Sequence, residues 1–224
     1  MSHVLGCFVR EGQTVWDVGA ERGWFTLLMA SIVGSKGRVD AFEAFPENSQ
    51  RLRANIALND YSWIRVSETA VSGDIGQMWF VPPTAEALVK NNFFLHRGIG
   101  YLTDKPAEDA FVIPTTTLDA YAEDMKLENL SLIKMDIEGA EVNALKGAEQ
   151  TIARWHPILA IEYNRETAER AGSSVEELDE LLDGYGYDRF IFTDRFVKLQ
   201  LQEAHRQMNV FNVYCFHRSS GAGN

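Results

Sequence analysis

Short apolar runs alternate with helical patterns through most of the chain, the arrangement of an α/β domain built on a largely parallel sheet. A first strand is predicted at Thr14–Val18, followed by a turn with Gly19 and Gly23. The next helix carries Phe25, Leu28, Met29 and Ile32 at the i, i+3, i+4, i+7 spacing of a buried face. A second strand, Arg38–Phe42, follows the turn at 34–37, and Pro46 opens a helix to about Asn59, because proline fits the first helical turn. A third strand falls near Ile64–Ser67. Gln77–Val81 and Phe111–Ile113 also read as strands, but 82–110 between them is too long for an ordinary connection. The rhythm resumes with a helix near Leu118–Met125, a strand at Ser131–Asp136, a helix from about Glu141 to Ala153 and a strand at Ile158–Tyr163. Ser174 and Glu177 have capping-box spacing ahead of Leu178, Leu181 and Leu182. Strands at Phe190–Thr193 and Val210–Phe216 precede a Ser/Gly tail. The expected organisation is one domain over 1–218, an insertion at about 82–110 and a frayed tail at 219–224.

Composition narrows the function classes. The 224 residues carry 21 basic and 32 acidic side chains, a net charge of −11, which disfavours a broad grip on a phosphate backbone. No nucleic-acid partner is therefore expected. Cys7 and Cys215 lie at opposite ends without metal-ligand spacing, so neither a disulfide framework nor a zinc site is implied. The most apolar stretch, Trp24 to Val33, is far short of a membrane span, and the first residues lack signal-peptide features. A cytoplasmic chain with no membrane partner is the expectation; self-association is left open.

The candidate chemistry gathers at predicted strand ends. Asp17, Gly19 and Gly23 form D-x-G-x-x-x-G rather than the dinucleotide fingerprint G-x-G-x-x-G, and an acid there suits a ligand with cationic groups. Glycines at this turn let a ligand approach the main chain, and the amides opening the next helix can receive negative charge. Glu43, just past the second strand, is placed to accept the hydroxyls of a ribose. Lys134 and Asp136 point to one face of the fourth strand, with Glu138 following and Glu162 at the end of the next. Charges at the edge of an apolar sheet are costly unless paired or functional. A Lys134–Glu162 ion pair is the plainer alternative, and Glu141 reads as a helix-opening acid. Asp136 and Glu138 could take a divalent ion, but no required metal is expected. His96 with Phe93, Phe94 and Arg97 is a candidate acceptor lid; His156 reads as a turn residue, His3, His205 and His217 lack a partner pattern, and Trp24 reads as packing.

The runs DVGAERGWFTLLMA, AFEAFPENSQRLRANIALN, TTTLDAY, LIKMDIEGAEVNALKGAEQTI and HPILAIEYN together resemble the FkbM-type S-adenosylmethionine-dependent methyltransferases. The resemblance runs from about Gly12 to Asn164. Two positions depart from the family: Glu21 stands where Asn is usual, and Ala44 where Pro usually follows the ribose-binding acid. The resemblance implies a class I methyltransferase (Rossmann-like) fold, with a seven-stranded, mostly parallel sheet whose last strand is antiparallel, helices on both faces and an inserted hairpin or loop. It implies S-adenosylmethionine as cofactor and O-methylation of a hydroxyl on a sugar, polyketide or other small metabolite. Asp17, Gly19, Ala20 and Gly23 would line the methionine part, Glu43 the ribose, and the Glu68–Val71 stretch, Ala70 included, the adenine. Asp136 would orient the acceptor or take its proton, with Lys134, Glu138 and Glu162 shaping the field. The competing classes are a nicotinamide- or flavin-dependent oxidoreductase, disfavoured by the missing third glycine, and a non-catalytic S-adenosylmethionine-binding protein.

Overall fold

Five parallel strands form the centre of the sheet: β1 (Thr14–Val18), β2 (Arg38–Phe42), β3 (Ile64–Ser67), β8 (Leu132–Met135) and β9 (Ile158–Asn164). A computed structural model describes residues 1–82, 100–201, 204 and 208–220. Beyond β9 come β12 (Val210–His217), antiparallel to it, then β10 (Tyr187–Phe192) and β11 (Phe196–Lys198). The order is β11-β10-β12-β9-β8-β1-β2-β3. Seven of these strands match the expected class I arrangement, antiparallel member included; the eighth, β11, is additional. Its three residues are all exposed, so no in-out alternation marks it. It forms because Phe190 and Phe192 pair with Lys198 and Phe196 across a hairpin and Phe196 meets Phe8 of the first helix, centroids 5.5 Å apart.

Alternation along the strands divides the core between two faces. Trp16, Val18, Ile133 and Met135 belong to one apolar cluster, Val15 and Leu132 to the other. The second face is covered by α1 (Ser2–Phe8) and α2 (Trp24–Val33). The stripe that α2 buries is Thr26, Met29, Ala30 and Val33, so the predicted face is rotated: only Met29 is common to both, and Phe25, Leu28 and Ile32 are half-buried. The apolar residues of this helix nearly encircle it, and periodicity alone cannot fix its rotation. Trp24, expected in packing, is 72% exposed and donates from Nε1 to Ser2 Oγ at 3.0 Å. α3 (Pro46–Leu58) begins at the predicted proline.

On the other face lie α4 (Leu118–Asp124), α5 (Glu141–Lys146), α6 (Glu149–Trp155), α7 (Arg165–Arg170) and α8 (Val175–Gly184). The single helix expected from Glu141 to Ala153 is broken at Gly147. A Cβ there would lie 2.4 Å from the Ser72 carbonyl, and the Asp119 carboxylate accepts from the amides of Gln150 and Thr151, starting α6 afresh. Ser174 accepts from the Glu177 amide as expected; the Glu177 carboxylate reaches Lys146 at 2.8 Å.

A second sheet brackets the anticipated insertion at 82–110, with one strand of the four, Tyr101–Thr103, inside it. β4 (Ala70–Val71), β5 (Gly76–Val81), β6 (Tyr101–Thr103) and β7 (Phe111–Thr116) are ordered β4-β7-β5-β6, with Phe80 opposite Phe111 and Leu102. The predicted strands at 77–81 and 111–113 are β5 and β7. Phe93, Phe94, His96 and Arg97 lie outside the described residues, as do His205 and 221–224. Ser219, expected in a frayed tail, belongs to a 3-10 turn at Arg218–Ser220. Both cysteines are free. Among the described residues no helix is long and apolar enough to cross a membrane.

Candidate active site at the carboxyl edge of the sheet

The strand order reverses between β1 and β8, the switch point beyond whose strand carboxyl ends ligands bind in open α/β sheets. Asp17 and Lys134 are register partners in these two strands. Lys134 is 2% exposed, and its Nζ lies 3.2 Å from Asp17 Oδ1, 4.0 Å from Asp136 Oδ2 and 2.7 Å from the Gly19 carbonyl oxygen, to which it donates. The other Asp17 oxygen accepts from Thr26 Oγ1 at 2.6 Å. Burial opposes the charge on Lys134, but Asp17 and Asp136 outweigh it and raise the ammonium pKa. The expected alternative, a Lys134–Glu162 pair, does not form: the ion-pair partners of Lys134 are Asp17 and Asp136.

The turn after β1 is tied down on every side. The Gly19 and Ala20 amides donate to Phe42 O, the Gly23 amide to Ala20 O, and the Glu21 amide to Glu43 Oε2 at 2.7 Å. Asn55 on α3 donates to the Arg22 carbonyl. These turn amides are therefore spent within the fold, whereas α2 itself begins without a side-chain cap. The glycines also serve the fold first. A Cβ on Gly19 would lie 1.9 Å from the Asp136 carbonyl oxygen, and one on Gly23 would lie 2.5 Å from Leu52 Cδ1.

Glu43, at the end of β2, is buried, and its second oxygen accepts from the Phe45 amide at 2.8 Å. Burial pushes its pKa up to about 7 despite these two hydrogen bonds. Ala70, in β4, is buried at the start of the second sheet.

Asp136, Glu138 and Glu162 converge: one carboxylate oxygen of each lies within 4.8 Å of the others. Burial, reinforced by Asp136, raises both Glu138 and Glu162 to about 7. Glu141 opens α5 as expected but is buried behind the cluster, accepting from the Ile137 amide at 2.9 Å; burial raises it to about 7 as well. Of the sequence candidates, Asp17, Lys134 and Asp136 thus form one continuous charged chain, with Glu138 and Glu162 joined to its end and Glu43 on the other side of the Gly19–Gly23 turn.

Three participants carry little or no mark in the sequence pattern. Thr26 has the clearest, as one of two polar residues, with Ser31, in an otherwise apolar helix. Arg170, on α7, lies 3.8 Å from Glu138 Oε2, and its guanidinium covers the Tyr101 ring at 4.4 Å; neither residue stands in a pattern that singles it out. The described histidines are elsewhere. His156 caps α6 in left-handed conformation, as a turn residue should, and stacks on His217, centroids 3.6 Å apart, so His217 does have a partner.

Comparison with known proteins agrees with this architecture. The chain is similar in structure to an FkbM methyltransferase from Methylobacillus flagellatus KT, with a TM-score of 0.55 and 17% identity over 97% of this chain and 50% of that one. This chain thus spans about half the length of that protein. It is also similar to an rRNA methylase from Streptococcus thermophilus (TM-score 0.55, 13% identity, 96% of this chain and 93% of that one). A third similar structure is a SAM-dependent methyltransferase from Aquifex aeolicus (0.52, 17%, 95% and 87%). No curated protein sequence matches the chain. The profile of the methyltransferase FkbM domain matches residues 17–189, most of the chain and every strand-end acid of the candidate site. The chain belongs to the FkbM family of S-adenosylmethionine-dependent methyltransferases.

Proposed function

We propose that this chain transfers the methyl group of S-adenosylmethionine to a hydroxyl oxygen of a small metabolite such as a sugar or polyketide. The observation that carries the reading is the convergence of Asp136, Glu138 and Glu162 at the carboxyl edge, joined through Lys134 to the turn that follows β1. The cofactor supplies an electrophilic methyl group on a positively charged sulfur. Acidic strand ends favour such a cation. Asp17, Gly19, Ala20 and Gly23 shape the methionine side, Glu43 takes the ribose and Ala70 borders the adenine. Glu43 suits its role: it is fixed in place by two backbone amides, and a carboxylate that retains lone pairs can still accept hydroxyls.

Alcohols are weak nucleophiles at neutral pH, so transfer needs a group to accept the hydroxyl proton. Asp136 orients the acceptor and takes that proton. Glu138 and Glu162, titrating near 7, adjust the charge around it, while Lys134 is a positioning residue that fixes Asp17, Asp136 and the Gly19 carbonyl. The net charge of −11 supports a small-molecule acceptor over a nucleic acid, and a cytoplasmic setting fits the free cysteines.

The test is transfer of radiolabelled methyl from S-adenosylmethionine to a panel of hydroxylated metabolites, with binding followed separately by calorimetry. Asp136→Asn is expected to bind cofactor normally and to lose turnover by about 100-fold or more. Full turnover in that variant would remove Asp136 from its role; binding without transfer to any acceptor would favour a non-catalytic protein.

A further inference from the structure

Among the described residues, two cations form ion pairs with the acids of the Asp136–Glu138–Glu162 cluster, and they differ in how fully they are spent. Lys134 is buried and holds Asp17, Asp136 and the Gly19 carbonyl at once. Arg170, the last residue of α7, keeps its side chain 34% exposed. The turn after β8 brings it there. Glu138 takes φ 57° and Gly139 φ 102°, and a Cβ on Gly139 would lie 2.1 Å from the Thr167 carbonyl oxygen. α7 therefore sits directly on that turn, with its final residue against Glu138.

The guanidinium is held by its face more than by its edge. Its carbon lies 4.4 Å from the centre of the Tyr101 ring, which β6 of the second sheet supplies. Along the edge, Nη2 is 3.8 Å from Glu138 Oε2 and 3.5 Å from the Glu138 carbonyl oxygen. Both are longer than the roughly 2.7–2.9 Å of a charge-assisted hydrogen bond. Arginines elsewhere in the chain do close on their acids: Arg189 reaches Asp179 and Arg53 reaches Glu68, each at 2.8 Å. Charge compensation alone would draw Arg170 onto Glu138 in the same way. Instead an aromatic ring orients a fork of N–H donors that has no close acceptor. Glu138, raised to about 7 by its burial, also gives up its claim on the guanidinium whenever it takes a proton.

We propose that Arg170, braced by Tyr101, is a specificity-determining residue that selects acceptors carrying a carboxylate close to the hydroxyl to be methylated. The inference rests on the methyl transfer proposed above and narrows its substrate class. Glu138 ties the guanidinium to the reacting end of the site, because one of its carboxylate oxygens lies within 4.8 Å of one of Asp136. An acceptor that brings its hydroxyl to Asp136 therefore has its neighbouring substituents within reach of Arg170. A planar carboxylate matches the fork with two parallel hydrogen bonds. The three acids set the charge that is tolerated: they oppose a second negative charge, so a carboxylate is preferred to a dianionic phosphate.

Binding to the full chain loaded with S-adenosylhomocysteine tests this without requiring turnover, read from the backbone amide signals of Glu138 and Gly139 by NMR. D-glucuronate is compared with D-glucose, and D-glycerate with glycerol. Each carboxylate is expected to bind about tenfold or more tightly than its neutral partner, the worth of hydrogen bonds to a charged group. That ratio should fall to about one in Arg170→Gln and part of the way in Arg170→Lys, which keeps the charge but loses the fork. Damage to the fold that weakens both partners alike does not move it. Tyr101→Phe should preserve the ratio and Tyr101→Leu lower it, since only the first keeps the ring under the guanidinium. Glycerol 3-phosphate should gain less over glycerol than D-glycerate does. Equal binding of charged and neutral partners, no saturable binding of either carboxylate, a ratio unchanged in Arg170→Gln, or a larger gain for the phosphate overturns the proposal and leaves the methyl-transfer reading in place. Failure of the chain to bind S-adenosylhomocysteine overturns that reading, and the inference with it.

Discussion

Lys134 and Asp17 stand side by side in adjacent parallel strands, Nζ to Oδ1 at 3.2 Å, with neither side chain more than 2% exposed. The pair replaces two apolar side chains in the most protected part of the sheet. Removing one partner leaves the other charge buried without compensation. Lys134→Met is therefore expected to cost about 3–5 kcal/mol, read by urea unfolding. The double variant Lys134→Met with Asp17→Leu should recover most of that loss in stability while failing to bind cofactor. If the single and double variants unfold at the same urea concentration, the pair is not coupled.

The buried glutamates give stability a direction with pH. Burial raises Glu43, Glu138, Glu141 and Glu162 from 4.5 to about 7 in the folded chain. Between those values the folded state holds more protons than the unfolded one, so stability falls as pH rises. Their contribution is fully present below about 4.5 and is lost as pH passes 7. Melting is expected several degrees lower at pH 8 than at pH 6. Glu141→Gln, whose amide oxygen still accepts from Ile137, should flatten that slope, as scanning fluorimetry across pH would show. A slope identical to wild type would mean that Glu141 does not titrate with folding.

Much of this site is legible in the sequence. Asp17 lies near the end of a short strand pattern and Glu43 and Asp136 directly follow two others, so their place at one edge of the sheet follows from the α/β rhythm. The two-residue spacing of Lys134 and Asp136 likewise fixes their common face. What stays hidden depends on partners distant along the chain. Arg170 meets Glu138 and Tyr101 only because α7 folds back over the edge. The amides of Gly19 and Ala20 are claimed by Phe42, which nothing in the turn's own residues announces. β11 is too short to show alternation, and α2 is apolar on too many sides for its buried stripe to be read.

Arg170 joins the second sheet to the acid cluster through the Tyr101 ring and the Glu138 carboxylate. A double-mutant cycle with Arg170→Ala and Tyr101→Ala should give a coupling of about 0.5–1 kcal/mol, the size of a cation–π contact near solvent. Arg170→Ala alone should also raise the pKa of Glu138, because a neighbouring cation that lowers it is gone. Carboxyl-carbon NMR of Glu138 would record that change; an unmoved midpoint would dissociate the two residues.

Two glycines should respond to alanine in opposite ways. Gly6 lies within α1 with open space where a Cβ would be, so Gly6→Ala should stabilise by about 0.5–1 kcal/mol. Gly19→Ala would drive a methyl to 1.9 Å from the Asp136 carbonyl at φ 80° and should destabilise by about 2 kcal/mol or more. Equal melting temperatures for the two variants would contradict the packing at the strand ends.

That contact gives Gly19 a history independent of chemistry. Because its missing side chain makes room for a neighbouring strand, the first glycine of the D-x-G-x-x-x-G turn is demanded by the junction of β1 with β8 whether or not a cofactor ever enters. A descendant of this chain that had lost methyl transfer would keep Gly19 as long as it kept its sheet.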